Sequence, residues 1–474
     1  MSDDFVDMCV IGAGAAGLTT AAIAAQLGAR TVLIERDRMG GECLNTGCVP
    51  SKALLAAAKA AHTMRNARRF GVNGAAPSVD FASVHRHVQG VIDAIAPHDS
   101  VERFEGFGVD VIHAAARFVG SREIAAGNRL IRARRIVIAT GSEPAVPPIP
   151  GLDAVPYLTN ETIFENDRLP EHLVIIGGGA IGIELAQAHR RLGAAVTIVE
   201  AVRALPRDDT ELAAMLLRSL IEEGVEIRQQ TEIKSTAPNG TGVVLHVEEN
   251  GRQTRIEGSH LLIAVGRKPR TDGLDLERAG IRYDRRGIAV DRRLRTTARG
   301  VYAIGDVIDA PHFTHVAGYH AGIVIRNALF HFPAKVDYAA LPWVTYADPE
   351  LAQVGLTEEA ARHRYGEDLQ VLRLPLAEND RAQTERHTAG LIKLVACRSG
   401  QILGASILAA HAGELAHLWV LAIEQRLKLK HIAGMLAPYP TWGEANKLAA
   451  IEFYKPRLFS SWTCRAVRAL AWLP

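Results

Sequence analysis

The chain has 474 residues, 48% of them hydrophobic, which is enough for roughly two to four domains with a core each. Its formal net charge of +2 gives no global reason to expect a nucleic-acid partner. The five cysteines are odd in number and scattered, which excludes the framework of a small secreted disulfide protein. A close pair of cysteines in this chain therefore indicates catalysis or metal binding.

Residues 8–29 carry no charge and are long enough to resemble a membrane span. They follow Asp3, Asp4 and Asp7, whereas a signal peptide would begin with basic residues. Their spaced glycines fit a strand, a turn and a helix better than a span. We therefore expect a cytoplasmic protein.

The first predicted elements form a nucleotide-binding unit. A strand over Phe5–Ile11 leads into a G-x-G-x-x-G motif at residues 12–17, and a helix of small residues follows. A second strand over Thr31–Ile34 ends at Glu35. This context predicts a dinucleotide site, with the pyrophosphate at the helix N-terminus and the ribose hydroxyls on Glu35. The glycines that let the pyrophosphate approach are Gly12, Gly14 and Gly17.

A redox motif comes directly after this unit. Cys43 and Cys48 are five positions apart and precede a predicted helix over Ala53–Ala61. Pro50 suits a first helical turn because its missing N–H would have no partner there. The positive end of the helix dipole favours a thiolate on a nearby cysteine. A close thiol pair beside a nucleotide unit predicts a dithiol–disulfide centre.

The chain then reads as helical from Ala53 to about Val109, with a polar break near residues 71–78. A strand over Arg134–Thr140 is followed by Gly141. Four prolines between residues 144 and 150 predict a linker that leaves the first domain.

A second copy of the nucleotide unit begins with a strand over Leu173–Ile176. A helix over Ile183–Leu192 and a strand over Ala195–Val199 follow, and the strand ends at Glu200. The repeat predicts two dinucleotides, most simply FAD on the first copy and a nicotinamide cofactor on the second. Glu200 favours NADH because a carboxylate repels a 2′-phosphate, although nearby arginines leave NADPH possible. The glycines of this copy are Gly177, Gly179 and Gly182.

A return segment is predicted to re-enter the first domain after residues 261–265. A strand over residues 300–304 runs into Asp306, which is well placed to bind a ribityl hydroxyl of FAD. A helix over His315–Leu329 should point its positive end at the flavin. The other residues to which we assign cofactor contacts are Thr140, Gly141, Gly266 and His315.

The composition changes near Asp337. Strands over Val344–Val354, Leu391–Val395 and Ile402–Leu408, followed by helices over Ala412–Leu427 and Glu444–Phe453, predict an α+β domain that forms a dimer. The predicted domains are an FAD-binding domain (1–152 and 271–335), an NAD(P)-binding domain (153–270), an interface domain (336–455) and a tail (456–474).

In this order the motifs resemble the class I pyridine nucleotide–disulfide oxidoreductases over nearly the whole chain. The resemblance implies an α/β fold with two Rossmann-like dinucleotide-binding domains, for FAD and NAD(P), plus a C-terminal α+β dimerisation domain. It implies a homodimer in which electrons pass from NAD(P)H through flavin to a Cys43–Cys48 disulfide. Cys48 is then the thiolate next to the flavin, and Cys43 exchanges with substrate. Lys52 and Glu184 match an ion pair beside the flavin.

The loop at residues 438–444 indicates the branch of the family. Relatives such as dihydrolipoamide dehydrogenase carry a histidine–glutamate dyad there as the base for the exchanging thiol. Here Glu444 is present, but Tyr439 replaces the histidine, and a phenol is a poor base at neutral pH. Exchange with small thiols should therefore be slow, by the ~10²–10⁴-fold that general-base catalysis contributes.

A tyrosine in this loop resembles the mercuric reductases, so we expect a mercuric reductase-like enzyme with a metal–thiolate or disulfide acceptor. Those enzymes end in a vicinal cysteine pair, whereas this tail has only Cys464, for which we favour a structural role. We expect the Arg- and Trp-containing tail to dock on the partner subunit rather than on a membrane. No dedicated metal-ligand cluster is evident. The histidines at 312, 315 and 320 are expected to belong to the helix that faces the flavin.

Two alternatives remain open. One is a dihydrolipoamide dehydrogenase. The other is a membrane-peripheral NADH:quinone oxidoreductase with an idle disulfide. A flavin-binding structural protein fits poorly with an intact thiol pair and two cofactor sites.

Overall fold

A computed structural model describes residues 3–472, so Leu473 and Pro474 of the tail lie outside the described residues. The chain forms two compact units. Among the described residues, the first contains 3–178, 188–201 and 230–336, and the second contains 179–187, 202–229 and 337–472.

The helices and strands of residues 3–472 are numbered in chain order. Helices α1–α15 are Ala15–Gln26, Gly41–Asn45, Cys48–Asn66, Phe81–Ile95, Val101–Gly106, Ala180–Leu192, Thr210–Glu222, Thr314–Ala328, Glu358–Tyr365, Asp380–Glu385, Ala412–Glu424, Leu429–Ala433, Glu444–Ile451, Lys455–Leu458 and Ser461–Leu470. Strands β1–β23 are Asp3–Ile11, Thr31–Glu35, Val109–His113, Ala116–Gly120, Glu123–Ala126, Arg129–Ile138, Ser142–Pro144, His172–Ile176, Ala195–Val199, Glu226–Arg228, Thr231–Asn239, Gly242–Glu249, Arg252–Gly258, His260–Ile263, Arg267–Pro269, Tyr283–Asp284, Gly287–Ile288, Val301–Ala303, Pro342–Thr345, Glu350–Gly355, Leu369–Pro375, Leu391–Cys397 and Ile402–Ala409.

The main sheet of the first unit has the strand order β3-β2-β1-β6-β5-β4. Strands β1, β2, β3 and β6 are parallel, and β18 pairs in parallel with the last three residues of β6. The return strand β18 thereby joins the sheet that begins at the N-terminus. Residues Met8–Ile11 are at most 3% exposed, as expected for a parallel strand covered on both faces.

A second parallel sheet in this unit contains β8, β9 and β14, with β8 in the middle. Strands β11, β12 and β13 form a separate antiparallel sheet. The β8–α6–β9 segment therefore repeats the arrangement of β1–α1–β2, as the two glycine motifs predict.

The second unit contains an antiparallel sheet in the order β19-β20-β23-β22-β21. Helix α11 packs on it through the fully buried Trp419, whose indole N–H donates to Asn446 Oδ1 at 2.8 Å. This hydrogen bond satisfies the buried indole donor and joins α11 to α13.

The predicted fold class is confirmed, and several element boundaries are corrected. Val109 begins a strand instead of ending a helical region, because the apolar pattern of residues 109–112 has the period of a strand. The strand expected over Val344–Val354 is the hairpin β19–β20, which turns at residues 346–349. Strands β4, β5, β11–β13 and β21 had no sequence prediction. The domain boundaries stay a prediction.

The uncharged stretch at residues 8–29 forms the end of β1, a glycine turn and α1, as expected. Residues 3–472 contain no apolar helix of the length that crossing a bilayer requires.

A buried charge cluster fixes the sheet of the second unit. The Lys393 side chain in β22 is only 3% exposed, and its Nζ lies 2.8 Å from Asp209, 2.7 Å from Glu211 and 3.1 Å from Glu358. Burial would lower the pKa of Lys393, but the hydrogen bonds that it donates to the three carboxylates raise its pKa above the usual value. Arg373 lies 3.0 Å from both glutamates and offsets the remaining negative charge.

Replacing Lys393 with Met should destabilise the protein by about 3–5 kcal/mol, because the equally buried Asp209 carboxylate would lose its countercharge. The free energy of unfolding, measured with denaturant, tests this. Lys430→Met, at an exposed position of α12, is the matched control and should change it by less than about 0.5 kcal/mol. Equal stabilities of the two variants would contradict a structural role for the cluster.

Candidate functional site

Two glycines occupy equivalent positions where another part of the backbone approaches closely. Gly12 has φ +103°, and a Cβ there would lie 2.4 Å from the carbonyl oxygen of Ala139. Gly177 has φ +112°, and a Cβ there would lie 2.3 Å from the carbonyl oxygen of Ala264. Only glycine fits either position, because any side chain would collide with a neighbouring strand end.

The glutamates that end the second strand of each copy also match. Glu35 accepts a hydrogen bond from the backbone N–H of Ala13 at 2.6 Å. Glu200 accepts one from the backbone N–H of Gly178 at 2.8 Å. Each carboxylate therefore lies beside a glycine turn, where ribose hydroxyls of a dinucleotide would be within its reach.

The redox loop packs against the first glycine turn. A Cβ at Gly41, just ahead of Cys43, would lie 2.6 Å from Cα of Gly14, and a Cβ at Gly17 would lie 1.8 Å from the carbonyl oxygen of Gly12. In the second copy, Gly179 has no atom within 4 Å of an added Cβ, and Gly182 lies in the first turn of α6. Both cradles consist of bare backbone at a helix start, so the residues fit the pyrophosphates of FAD and a nicotinamide dinucleotide.

The two cysteines meet at helix starts. Cys43 lies in the short helix α2, and Cys48 is the first residue of α3. The hydrogen bond to Cys48 and burial hold the pKa of the Cys43 thiol far above its usual range, so Cys43 keeps its proton when Cys48 is ionised. Cys48 Sγ also lies 3.5 Å from the hydroxyl of Thr314, the first residue of α8. Two helix N-termini thus favour negative charge on Cys48.

The other residues predicted at the FAD site lie in the first unit. Asp306 Oδ2 accepts from the hydroxyl of Ser142 at 2.9 Å. Thr140 donates to the carbonyl of Arg270 at 2.7 Å.

Lys52 lies in the first turns of α3, and Gly266 directly precedes β15. His315 is exposed in the first turn of α8, and Gly141 has φ +70°. Their contacts with cofactor stay predictions.

A half-buried carboxyl next to Cys43 was not found from the sequence. Glu42 forms an ion pair with Arg267 and accepts a hydrogen bond from the side chain of Asn160 at 3.0 Å. Burial raises the pKa of Glu42 to about 7, although Arg267 opposes the rise. Arg267 also donates to the Ser142 hydroxyl at 2.8 Å, so this network ties the redox loop to the residues around Asp306.

The histidines near the redox pair do not form a metal site. His320 is fully buried, and its Nδ1 accepts the backbone N–H of Gly305 at 3.2 Å. Burial lowers the pKa of His320 to about 4, so its ring is neutral and holds the turn before Asp306. No group of three or more His, Cys, Asp or Glu side chains suited to a metal ion occurs between residues 3 and 472.

The remaining predicted residues lie in the second unit. Glu184 on α6 is buried and accepts the backbone N–H of Tyr346 at 2.8 Å. Tyr439 is 67% exposed and donates its hydroxyl to Asp380 at 2.8 Å, which raises the pKa of the phenol. The phenol is therefore neutral, and the charge of Glu444, at the start of α13, reinforces this. The ion pair of Lys52 with Glu184 stays a prediction.

The tail forms α14 and α15, and its single thiol, Cys464, is exposed. The expected structural role of Cys464 therefore gains no support from burial. The apolar residues Phe459, Trp462 and Leu470 are 61–75% exposed.

Comparison with known proteins places these features in a family. A model of the pyridine nucleotide-disulphide oxidoreductases matches residues 6–321, and one of their dimerisation domain matches residues 341–450. The chain is 38% identical to a mercuric reductase of Streptomyces lividans over 94% of this chain and 96% of that protein. It is 37% identical to a dihydrolipoyl dehydrogenase of Thermus scotoductus, over 95% and 97%. A Cu(II) complex of the HOCl-induced flavoprotein disulfide reductase RclA from Escherichia coli has 30% identity and a TM-score of 0.84, over 93% and 98%.

The pH dependence of stability should report on Glu42. Its pKa is raised from 4.5 to about 7 in the folded protein, so the folded state holds the extra proton between these values. Stability from this group is therefore greatest below about pH 4.5 and falls by up to about 3 kcal/mol as the pH rises through 7.

Thermal midpoints of the FAD-bound protein between pH 4.5 and 8 test this. The Glu42→Gln variant should lose the decline toward pH 7 that the wild type shows. Parallel pH profiles for the two proteins would contradict the raised pKa. Glu102→Gln, at an exposed carboxyl of α5, is the control and should keep the wild-type slope.

Proposed function

Because this chain belongs to the pyridine nucleotide-disulphide oxidoreductase family, we propose that Cys43 and Cys48 form its working redox centre. As a member of this family, the protein is an FAD-dependent enzyme that uses NAD(P)H. The observation that carries the proposal is the placement of a hydrogen-bonded thiol pair directly against the first glycine cradle.

Different residues would bind different parts of the FAD molecule. Gly12, Gly14 and Gly17 would admit the pyrophosphate, Glu35 would hold the adenosine ribose, and Asp306 a ribityl hydroxyl. When bound, FAD would supply the two-electron chemistry that links reduced nicotinamide to a disulfide. The chain's own residues would set the protonation states of the two sulfurs. The helix starts favour the thiolate form of Cys48, and Cys43 retains its proton until exchange with substrate.

We expect NADH to be the preferred donor. The Glu200 carboxylate lies at the second glycine turn, where the 2′-phosphate of NADPH would come close to its charge. The resulting repulsion disfavours NADPH.

The proposed acceptor is a metal–thiolate complex, with small disulfides as slower substrates. Tyr439 supports this acceptor because a neutral phenol can orient a bound complex but cannot deprotonate a thiol. Mercuric reductases are among the most similar relatives, and the E. coli relative is known as a Cu(II) complex. Lipoamide is the second candidate, favoured by the equally extensive similarity to dihydrolipoyl dehydrogenases.

The chain carries the dimerisation domain of its family, which supports a homodimer. Within that dimer we propose that the loop with Tyr439 and Glu444 reaches the redox pair of the other subunit. The loop lies inside the matched dimerisation domain, and its tyrosine is exposed in the single chain.

We further propose that the enzyme works in the cytoplasm. Burial raises the pKa of Cys9, a strand thiol in the sheet core, to about 12, so Cys9 stays an inert thiol. In a reducing compartment, Cys43 and Cys48 would then be the pair that alternates between dithiol and disulfide.

Anaerobic titration of the FAD-bound protein with NADH, followed by visible spectroscopy, tests the redox centre. Two electrons should produce the long-wavelength band of a thiolate beside flavin, and Cys48→Ser should abolish it. Cys9→Ser, at a buried thiol outside the centre, is the control and should keep the band. NADPH should need a higher concentration for the same change.

Direct bleaching of the flavin without that band would contradict the disulfide mechanism. Quinone reduction that survives in a Cys43→Ser, Cys48→Ser double variant would instead support the quinone alternative.

A further inference from the structure

The exchanging thiol, Cys43, needs a proton acceptor that Tyr439 does not provide. Cys43 stays protonated because of its hydrogen bond to Cys48 and its burial, yet only a thiolate attacks a disulfide. The Tyr439 phenol is itself held neutral by Asp380. Glu42 is adjacent to Cys43 in the chain, but its carboxylate is engaged by Arg267 and Asn160.

One other carboxylate lies at the redox loop. Asp99 is the last residue of the 3₁₀ turn that links α4 to α5. A Cβ at Gly40, three residues before Cys43, would lie only 3.1 Å from Asp99 Oδ2. Leu44 lies still closer to the same point, so glycine at this position leaves room for both side chains. After the larger effects of the Cys48 hydrogen bond and of burial, the charge of Asp99 also raises the pKa of Cys43.

The surroundings of Asp99 suit a group that takes and returns a proton. The residue is partly buried, and burial raises the pKa of its carboxyl above the usual value. Arg103 and His98, on the same segment, oppose the rise. A higher carboxyl pKa reduces the difference between the pKa of the carboxyl and the pKa of a thiol. Proton transfer from the thiol to the carboxylate therefore becomes easier.

We propose that Asp99, on the same subunit, accepts the proton of Cys43 during disulfide exchange and returns it to the leaving thiolate, directly or across one water. This inference rests on the proposed function, because it requires the Cys43–Cys48 centre to reduce a substrate. In this proposal, a residue of the first unit accepts the Cys43 proton, which the phenol of Tyr439 cannot do.

The proposed step balances in protons and electrons. Asp99 takes the Cys43 proton as the sulfur attacks a substrate disulfide, so that a mixed disulfide forms and one substrate thiolate leaves. That thiolate takes the proton from Asp99. Cys48 thiolate then attacks the mixed disulfide at Cys43, which restores the Cys43–Cys48 disulfide and releases the second substrate thiolate to solvent water. The dithiol is oxidised by two electrons, and the substrate disulfide is reduced by two.

Two disulfide substrates separate this role from a structural one. Bis(2-hydroxyethyl) disulfide releases an alkyl thiolate that needs a proton, whereas 5,5′-dithiobis(2-nitrobenzoate) releases a stable aromatic thiolate that does not. With NADH as donor, Asp99→Asn should lower kcat/KM for both disulfides, because Cys43 must lose its proton before it attacks either one. The loss should be about 10²-fold for the alkyl disulfide, whose leaving thiolate also needs the proton returned, and smaller for the aromatic one.

The control is Asp93→Asn, which removes an exposed carboxylate from the preceding helix α4 and should change neither rate. The band that NADH produces should stay intact in both variants, which shows that the centre still forms. Equal losses for the two disulfides, or no loss for either, would overturn the role of Asp99. If the wild type forms the band but reduces neither disulfide, the role of Asp99 is overturned and the redox centre stands. If the band itself is absent, the proposed function fails.

Discussion

The site depends on one backbone contact, that between the redox loop and the first glycine turn. Gly41 approaches Gly14 so closely that a Cβ would lie 2.6 Å from Cα of Gly14, and Gly17 seats α1 against the carbonyl of Gly12. Bare backbone on both sides fixes the distance between the thiol pair and the nucleotide cradle. A side chain at any of these positions would separate the cofactor site from the disulfide that it serves.

The titratable groups around this contact differ in their surroundings and therefore in their protonation states. Cys48 lies where two helices begin, while Cys43 shares a hydrogen bond with it and stays protonated. Glu42 is half-buried and paired with Arg267, and His320 is a neutral ring in the core. The proposed proton acceptor Asp99 is partly buried, and its carboxylate lies beside Gly40 of the redox loop.

The sequence predicts the parts of this site that are local. Both glycine motifs, their terminal glutamates and the cysteine pair could be placed because their spacing requires a strand, a turn and a helix. The hairpin β19–β20 was missed because its turn lacks a strong glycine signal. Glu42 was passed over because its partners Arg267 and Asn160 come from distant segments. Asp99 gave no signal at all, since only the fold brings residue 99 to Gly40.

Differential alkylation tests the central claim most directly, that Cys43 and Cys48 are a disulfide reduced through the cofactors. The native protein would be treated with iodoacetamide before and after anaerobic reduction by NADH, and labelling would be quantified by mass spectrometry. We expect the Cys43–Cys48 pair to be labelled only after NADH, first on the Cys48 thiolate, with the buried Cys9 unlabelled throughout. Equal labelling of the pair in both samples would show that NADH does not reduce it and would contradict the account.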